Sequence, residues 1–246
     1  MIDLMNPSDH GIEIRDGVTS ELNNLTGGII KVTNAADDGI RLTAGVINND
    51  GELLVDGSAS DDIETDNNPF NNTANAVFRP GSSPGDLVLQ DDTDLGTSTV
   101  VFEIGGTTSV TDYDVIIHQN ASNTLNISAA TAQIDFINGF VPADQDCFLI
   151  VDAGSDSPTI GMFASVTDNL TSGSLVVNKI NGDADVEICF VVAALPVELI
   201  SFTGENTARG SQLNWVTASE LNNAHFEVEY STDGRDFTML DKVAGA

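Results

Sequence analysis

One segment of the sequence matches a catalytic motif by pattern. Residues 81–85 read Gly-Ser-Ser-Pro-Gly, which fits the G-x-S-x-G elbow of serine hydrolases with Ser83 as the nucleophile. In that elbow the residue after the serine donates its backbone N–H to the oxyanion, and here that residue is Pro84, which has no N–H. The sequence therefore predicts that Pro80–Gly85 is a structural turn and that Ser83 serves the turn, with no hydrolase site.

Residue types that bind metal ions occur, but not at metal-binding spacing. Asp62, Glu64 and Asp66 alternate like the first three ligands of an EF-hand loop. However, Asn67 stands where the sharp-turn glycine belongs, and no glutamate closes the loop. Three histidines, each in a different segment, lack zinc-ligand spacing to a cysteine or carboxylate: His10, His118 and His225. We expect no metal site and no cofactor; the alternative is a scaffold that calcium stabilises.

Paired carboxylates for glycoside hydrolysis need only converge in space, so spacing along the chain does not identify them. With 38 Asp and Glu residues, chance pairs are common, and one Trp and two Tyr give few aromatic surfaces for a sugar. A lyase would also need a base near a calcium site, and few Lys or Arg residues precede Leu195. We therefore expect no enzymatic activity.

The two cysteines occur in similar contexts, Cys147 before Phe-Leu-Ile and Cys189 before Phe-Val-Val. Two thiols in an exported protein predict a disulfide between neighbouring strands. Two independent buried thiols are the alternative.

The charge balance excludes some partners. Asp and Glu outnumber Lys and Arg by 38 to 8, which gives a net charge of −30 that repels nucleic acids and anionic lipids. There is no run of 18 apolar residues, so we expect no membrane insertion. Residues 1–6 lack the basic start and apolar core of a signal peptide, so any export signal is expected upstream. The 41% hydrophobic content, in alternating runs, argues for order over disorder.

Residues 11–57 contain an internal repeat. Gly11–Val18 returns as Gly39–Val46, and Asn23–Val32 is echoed by Asn48–Val55. Each unit holds two short strands with period-2 apolar positions, separated by Gly, Asn and Asp turns. Stacked as parallel coils of a solenoid, such strands would cover one another. An antiparallel meander is the alternative. The Asn pairs predict either left-handed corners or a side-chain ladder along the stack.

Residues 57–76 are polar and predict a solvated acidic loop or a protruding irregular coil. Beyond residue 78, apolar runs alternate with turn residues and show no sustained helical period. The chain is therefore predicted to be all-β.

A series of short motifs follows the turn at residue 80. In order they are Pro80-Gly81-x-x-Pro84-Gly85, Glu103-Ile104-Gly105-Gly106-Thr107, Asp112-Tyr113-Asp114, Leu125-Asn126-Ile127, Ile137-Asn138-Gly139-Phe140-Val141-Pro142-Ala143 and Gly161-Met162-Phe163-Ala164. From about residue 78 to 192, this order resembles the end of passenger domains in autotransporter-like surface proteins. The resemblance implies a right-handed parallel β-helix.

The sequence pattern changes after Val192. Three segments, Leu195–Thr203, Leu213–Asn223 and His225–Phe237, closely resemble a fibronectin-III-like module that precedes the sorting signal of type IX secretion system cargo in Gram-negative bacteria. The resemblance implies a β-sandwich and an extracellular or cell-surface location.

The same segments predict a sandwich core from their own pattern. Asp233-Gly234 predicts a hairpin turn. A complete module needs about seven strands, and only three or four fit before Ala246, so we expect an incomplete module and a fragment of a longer protein. The predicted inward positions, with Trp215 at the centre, are Val197, Leu199, Phe202, Leu213, Trp215, Phe226, Val228 and Tyr230.

These expectations combine into one architecture. Residues 1–192 form a right-handed parallel β-helix, with repeats at 11–57, the acidic loop at 57–76 and closing coils at 78–192. Residues 193–196 form a linker, and 197–246 an incomplete fibronectin-III-like sandwich.

We expect this architecture to be a non-catalytic structural or adhesive module of a secreted, cell-surface bacterial protein, whose partners are cell-surface glycans or proteins. The alternative is a non-catalytic accessory region of an extracellular polysaccharide-degrading enzyme.

Overall fold

Strands and the turns between them make up the residues that the computed structural model describes, which are 1–15, 20–81, 84–120, 122–153, 159–182, 184–192, 198–208, 210–219 and 223–245. The predicted all-β class is confirmed. The chain divides into two units, Met1–Val191 and Val192–Ala246.

The first unit is built from short strands. In chain order, its described strands are β1 (Ile2–Met5), β2 (Ile12–Ile14), β3 (Glu21–Asn24), β4 (Ile29–Thr33), β5 (Ile40–Leu42), β6 (Val46–Asn49), β7 (Glu52–Asp56), β8 (Ile63–Glu64), β9 (Phe70–Asn72), β10 (Val77–Pro80), β11 (Asp86–Leu89), β12 (Thr93–Asp94), β13 (Thr99–Ile104), β14 (Val115–His118), β15 (Leu125–Asn126), β16 (Thr131–Phe136), β17 (Cys147–Asp152), β18 (Thr159–Ile160), β19 (Ser165–Asp168), β20 (Ser174–Ile180) and β21 (Asp185–Val191).

These strands wind into a parallel β-solenoid with three strands in each coil. Sheet A has the order β1-β4-β7-β10-β13-β16-β19, and sheet B the order β2-β5-β8-β11-β14-β17-β21-β20. The third side consists of sheet C, β3-β6-β9, and sheet D, β12-β15-β18. Coil 1 is therefore β1-β2-β3, coil 2 is β4-β5-β6 and coil 3 is β7-β8-β9. The predicted parallel solenoid is confirmed, and the antiparallel meander is wrong for these coils.

The sequence repeat coincides with the register of the coils. Ile12 pairs with Ile40, as the first repeat element requires, and Asn23 pairs with Asn48, as the second requires. The predicted number of strands per unit is wrong: the Asn-containing segments form strands of their own in sheet C, so each coil has three strands. Coil length also varies, from 22 residues between Val77 and Thr99 to 34 between Thr131 and Ser165.

A column of left-handed residues forms the corner after sheet A. Asn6, Asn34, Gly57 and Gly81 each follow directly after paired strand ends, and all have φ between 51° and 71°. Asn and Gly tolerate this backbone conformation better than other residues. Gly81 thus forms part of a structural corner, as predicted. Ser83 lies outside the described residues.

The predicted acidic loop at 57–76 is wrong. This segment forms coil 3 with the preceding strand, since Ile63 pairs with Ile40 in sheet B and Phe70 pairs with Ile47 in sheet C. The prediction assumed that the acidic side chains of this segment are solvated, but some of them are buried. Asp62 is 1% exposed and accepts hydrogen bonds from the backbone N–H groups of Val88 and Ser58. Hydrogen bonds of this kind make a buried carboxylate tolerable.

The Asn pairs form two side-chain ladders in sheet C. On the outer face, Asn48 Nδ2 donates to Asn23 Oδ1 and Asn71 Nδ2 donates to Asn48 Oδ1, both at 2.8 Å. On the inner face, Asn24 Nδ2 donates to Asn49 Oδ1 at 2.9 Å. Asn49 is fully buried, and its Nδ2 donates to Asn72 Oδ1 at 3.4 Å. The ladder hypothesis is confirmed, and the alternative of left-handed corners at these Asn pairs is wrong.

One continuous apolar core fills the solenoid. It includes Phe78, Phe102 and Phe148, each at most 1% exposed, and it extends from Ile30 to Ile188. The inward side chains of each coil pack on those of the next, which is how such short strands acquire a core.

The predicted closing coils were expected to stack in parallel, but the last strands of sheet B pair antiparallel. Strand β21 pairs antiparallel with β17, and β20 pairs antiparallel with β21. The last two strands of sheet B therefore form a hairpin. The physical reason is that Asp185–Val191 follows β20 after a short turn, too short for the crossover that a parallel neighbour needs.

The second unit contains two antiparallel hairpins. Its described strands are β22 (Glu198–Thr207), β23 (Gly210–Ser219), β24 (His225–Tyr230) and β25 (Thr238–Ala244). The loop between β24 and β25 includes Asp233-Gly234, with Gly234 at a φ of 73°.

The apolar side chains of these hairpins converge only in part. The rings of Trp215 and Phe226 lie 5.5 Å apart, and the two hairpins line a groove of about 370 Å³. The predicted inward residues lie along this groove or beside it, but Phe202 and Tyr230 remain more than half exposed. Val197 lies outside the described residues. These hairpins are the described part of a partial sandwich, and its apolar face is incompletely covered.

The inner ladder generates a stability prediction. We expect Asn49→Ala to lower the free energy of unfolding by about 1–3 kcal/mol, because it leaves buried hydrogen-bonding groups of Asn24 and Gly51 unpaired. The matched variant Asn48→Ala removes the neighbouring amide of the outer ladder and should cost no more than about 0.5 kcal/mol. Urea unfolding of both variants measures the difference, and equal costs would contradict the assignment of inner and outer faces.

Candidate functional site

A group of carboxylates meets at the corner that leads into sheet B. We call Asp38, Asp61 and Glu64 the carboxylate corner, because their ligand oxygens all lie within 4.8 Å of one another. Asp38 precedes β5 in coil 2, while Asp61 and Glu64 flank the start of β8 in coil 3. The pairing of Ile40 with Ile63 places Asp61 directly above Asp38 in the stack.

The alternation of Asp62, Glu64 and Asp66 does not bring these three carboxylates together. Asp62 is buried and binds backbone N–H groups, while the side chain of Asp66 is 43% exposed and lies 3.8 Å from Arg41 Nη2. Only Glu64 of that pattern belongs to the carboxylate corner. The strand here covers only Ile63–Glu64, and Asp66 follows it in a left-handed backbone conformation with φ of 47°, so the three residues do not share one extended strand face.

Backbone hydrogen bonds stack the corner from coil to coil. The N–H of Asp38 donates to His10 Nδ1 at 3.3 Å, and the N–H of Asp61 donates to Asp38 Oδ1 at 3.3 Å. In each case the side chain of one coil accepts the amide of the equivalent residue in the next coil. The series ends at Asp61, whose carboxylate accepts no hydrogen bond from the described residues, although Asp61 is only 4% exposed.

Arg41 is the base within the corner. Its Nη1 donates to Asp38 Oδ2 at 2.9 Å and to Glu64 Oε2 at 2.5 Å. These hydrogen bonds and nearby negative charges raise the pKa of Arg41, which stays protonated. One guanidinium thus bridges coils 2 and 3.

The pKa values of the three carboxylates shift in different directions in this environment. Burial opposes the ionisation of Asp38, but hydrogen bonds from Arg41 and from the Asp61 amide outweigh it and lower the pKa of Asp38. Burial, together with the proximity of Asp38, raises the pKa of Glu64 to about 7. Burial, and then the charges of Asp38 and Asp91, raise the pKa of Asp61. Asp38 is therefore the carboxylate of the corner that Arg41 holds ionised, whereas Glu64 and Asp61 bind a proton more readily than surface carboxylates do.

Other buried carboxylates bind the backbone. Asp114 accepts the N–H groups of Gly85 and Glu103, both at 2.8 Å, and Asp185 accepts that of Ala153 at 2.9 Å. Asp91 accepts the N–H of Thr65 at 2.8 Å. These groups tie one coil to another, which is a structural role.

The three histidines occupy separate positions, and His10 lies close to Asp9 and Asp37. His118 is 2% exposed; its Nε2 donates to the carbonyl of Asp91, and its Nδ1 has no partner among the described residues. His225 lies in the second unit, where it contacts Glu227 and Lys242. His10 lies 3.2 Å from Asp38, beside the carboxylate corner.

Sequence reasoning missed the carboxylate corner, although a signal was present. Asp37-Asp38 precedes the strand at Ile40, and Asp61-Asp62 precedes the strand at Ile63. Aligning coil 3 with coil 2 would have superposed the acidic pairs. The polar composition of residues 57–76 concealed that alignment.

The two cysteines lie on neighbouring strands, as the predicted disulfide requires. Cys147 in β17 lies directly opposite Cys189 in β21, and the structure joins the two sulfur atoms in a disulfide. The bond links the last parallel strand of sheet B to the closing hairpin.

In comparisons with known proteins, no family model, curated protein or solved structure matches the chain. The two resemblances seen in the sequence therefore stay predictions. In the described part of the chain, we find no helix that is long and apolar enough to cross a membrane.

The burial of Asp114 generates a pH prediction. Burial raises its pKa from 3.8 to about 7, so its contribution to stability is fully present below pH 3.8 and is lost as the pH rises through about 7. We expect the stability of the unmodified protein relative to Asp114→Asn to fall across that range. At pH 4 the substitution should cost about 1–3 kcal/mol, because the new amide nitrogen faces a backbone N–H. Urea unfolding at several pH values tests this, and a pH-independent difference would contradict it.

The disulfide generates a second prediction. Cys147 and Cys189 are 42 residues apart, and closing a loop of that size restricts the unfolded chain. We expect Cys147→Ser with Cys189→Ser to lower the free energy of unfolding by about 2–4 kcal/mol. Reducing agent should destabilise the unmodified protein by a similar amount and leave the double variant unaffected. Two titratable thiols in the unreduced protein would show that the bond is absent.

Proposed function

We propose that the chain is a non-catalytic structural or adhesive module of a secreted, cell-surface bacterial protein. The observation that carries the proposal is the continuous apolar core, which fills the described coils from Ile30 to Ile188. Because side chains occupy the interior, a large ligand can approach the solenoid only on its outer faces and corners.

The arrangement of the acidic groups supports a non-catalytic role. Asp62, Asp114 and Asp185 each hold a backbone N–H of another coil segment. In the carboxylate corner, Asp38 and Asp61 are at most 4% exposed, so a sugar ring cannot reach between them. A glycosidase requires two carboxyl groups that flank an accessible scissile bond.

The outer face of sheet C offers a surface for adhesion. We call Asn23, Asn48 and Asn71 the amide face; their side chains are fixed to one another by hydrogen bonds. Beside it, the hydroxyls of Thr26 and Thr73 donate to the carboxylate of Asp50. Amides and hydroxyls held in place can bind the hydroxyl groups of a glycan with little further loss of side-chain entropy.

The proposed location rests on the sequence resemblances. The fibronectin-III-like pattern after Leu195 suggests secretion by the type IX system, and two hairpins in this region support the sandwich that the pattern implies. An acidic surface suits an exported module that stays soluble. Protease treatment of intact source cells would test the location, because a surface protein is degraded while cytoplasmic proteins are protected.

Binding to the amide face is the central functional test. We expect the purified chain to bind glycans or surface proteins in an immobilised panel and to release no reducing ends or unsaturated products from those glycans. Asn48→Ala with Asn71→Ala should weaken binding by about tenfold, since each lost hydrogen bond costs about 0.5–1.5 kcal/mol.

The matched control is Gln133→Ala, which removes an outward side chain of sheet A, away from the amide face. It should bind like the unmodified chain. Equal weakening by both changes would exclude the amide face as the binding surface, and glycan cleavage that copurifies with the chain would overturn the non-catalytic proposal.

A further inference from the structure

The carboxylate corner has the composition of a hard-cation site. Three carboxylates from two successive coils bring ligand oxygens within 4.8 Å of one another. Calcium binds oxygen at about 2.3–2.6 Å, so two of its ligands can be up to about 5 Å apart. The spacing is therefore compatible with a single calcium ion that all three residues share.

An independent observation points to a ligand at this place. Asp61 is 4% exposed, yet its carboxylate accepts no hydrogen bond from the described residues. The two equivalent side chains in the coils below, His10 and Asp38, each accept a backbone N–H from the coil above. A buried carboxylate without any donor is costly unless a positive charge compensates it.

Arg41 acts on Asp61 only through space and not through a hydrogen bond. Its Nη1 binds Asp38 and Glu64, and its Nη2 lies 3.8 Å from Asp66. No described hydrogen bond or ion pair joins Arg41 to Asp61. The close contacts of Arg41 are thus made with other carboxylates.

We propose that Asp38, Asp61 and Glu64 bind a calcium ion that joins coil 2 to coil 3. Their oxygens supply three ligands, and water supplies the remaining positions that calcium requires. The ion enters from the surface side of the corner, where the side chains of Glu64 and Arg41 are 14% and 28% exposed. Magnesium fits less well, since its shorter bonds and octahedral geometry demand closer oxygens.

The role of this ion would be to hold the solenoid together. It would bind residues on either side of the Ile40–Ile63 pairing and would favour the folded chain, because folding brings Asp38 to Asp61 across a separation of 23 residues. The inference is separate from the proposed adhesion at the amide face, and either can fail without the other.

The test compares the full chain with two variants. Asp61→Asn removes the unpartnered carboxylate, while Asp37→Asn removes one negative charge from the adjacent group formed by Asp9, His10 and Asp37. Calcium binding is measured by equilibrium dialysis at 0.15 M salt, which screens distant surface charges. Thermal unfolding is measured in calcium, in magnesium at the same concentration, and in chelator.

We expect one calcium ion to bind the unmodified chain with a dissociation constant of roughly 10⁻⁵–10⁻³ M. At a calcium concentration a hundredfold higher, the melting temperature should rise by roughly 5–10 °C. Asp37→Asn should show the same rise. Asp61→Asn should show little of it, yet should melt in chelator at or above the temperature of the unmodified chain, because it no longer buries an uncompensated charge.

Two results would overturn the proposal. One is an equal calcium-induced rise in the unmodified chain and in Asp61→Asn, which would assign the effect to other acidic groups. The other is an unmodified chain that binds no calcium up to about 10 mM, beyond the range of extracellular sites. If Asp61→Asn does not fold, Glu64→Gln replaces it, because Glu64 lies nearer the surface; normal calcium binding by that variant would equally overturn the proposal.

Discussion

Hydrogen bonding between adjacent coils is the constraint on which the solenoid depends. No strand of coil 1 exceeds four residues, and none could bury an apolar face alone. Stacking in register pairs the backbone groups of each strand with the next coil and brings the inward side chains together. Register therefore has to be fixed before the core can form. Asn6, Asn34 and Gly57 are left-handed at equivalent positions, so the turn after sheet A starts at the same place in each of these coils; Gly81 lies one residue earlier in register.

Polar ladders reinforce the same register inside the stack. The Asn24–Asn49–Asn72 series and the His10–Asp38–Asp61 series both follow one rule: a polar group of one coil binds the equivalent position of the next. A shift by one residue would break every bond in such a series and leave buried polar groups unpaired, which costs more than an apolar mismatch. These ladders therefore specify one alignment of the coils, while the apolar core supplies most of the stabilisation.

The parts of the fold that sequence could predict are those whose pattern repeats at constant spacing. Coils 1 and 2 were found because Gly11 and Gly39 begin matching apolar alternations. Coil 3 was missed because its strand at Ile63 follows Ile40 after 23 residues, whereas Ile40 follows Ile12 after 28. That strand is also surrounded by acidic residues whose burial depends on partners from other coils. The closing hairpin was missed because a short buried apolar run reads alike in parallel and antiparallel sheets. The carboxylate corner forms because Asp38, Asp61 and Glu64 come together in the folded chain, and the composition of the sequence does not reveal that contact.

The shortage of Lys and Arg explains why buried carboxylates in this protein are compensated by groups other than basic side chains. With 8 Lys and Arg residues against 38 Asp and Glu, most acidic groups have no cationic partner to pair with. Asp62 and Asp114 are instead compensated by two backbone N–H groups each. Burial still raises the pKa of both, so each holds a proton more readily than a surface carboxylate does. The carboxylate of Asp61 accepts no hydrogen bond from the described residues, and Arg41 acts on it only through space. For a group in that position, a proton or a metal ion is the remaining source of positive charge, and the two nearby carboxylates favour the ion because they can share it.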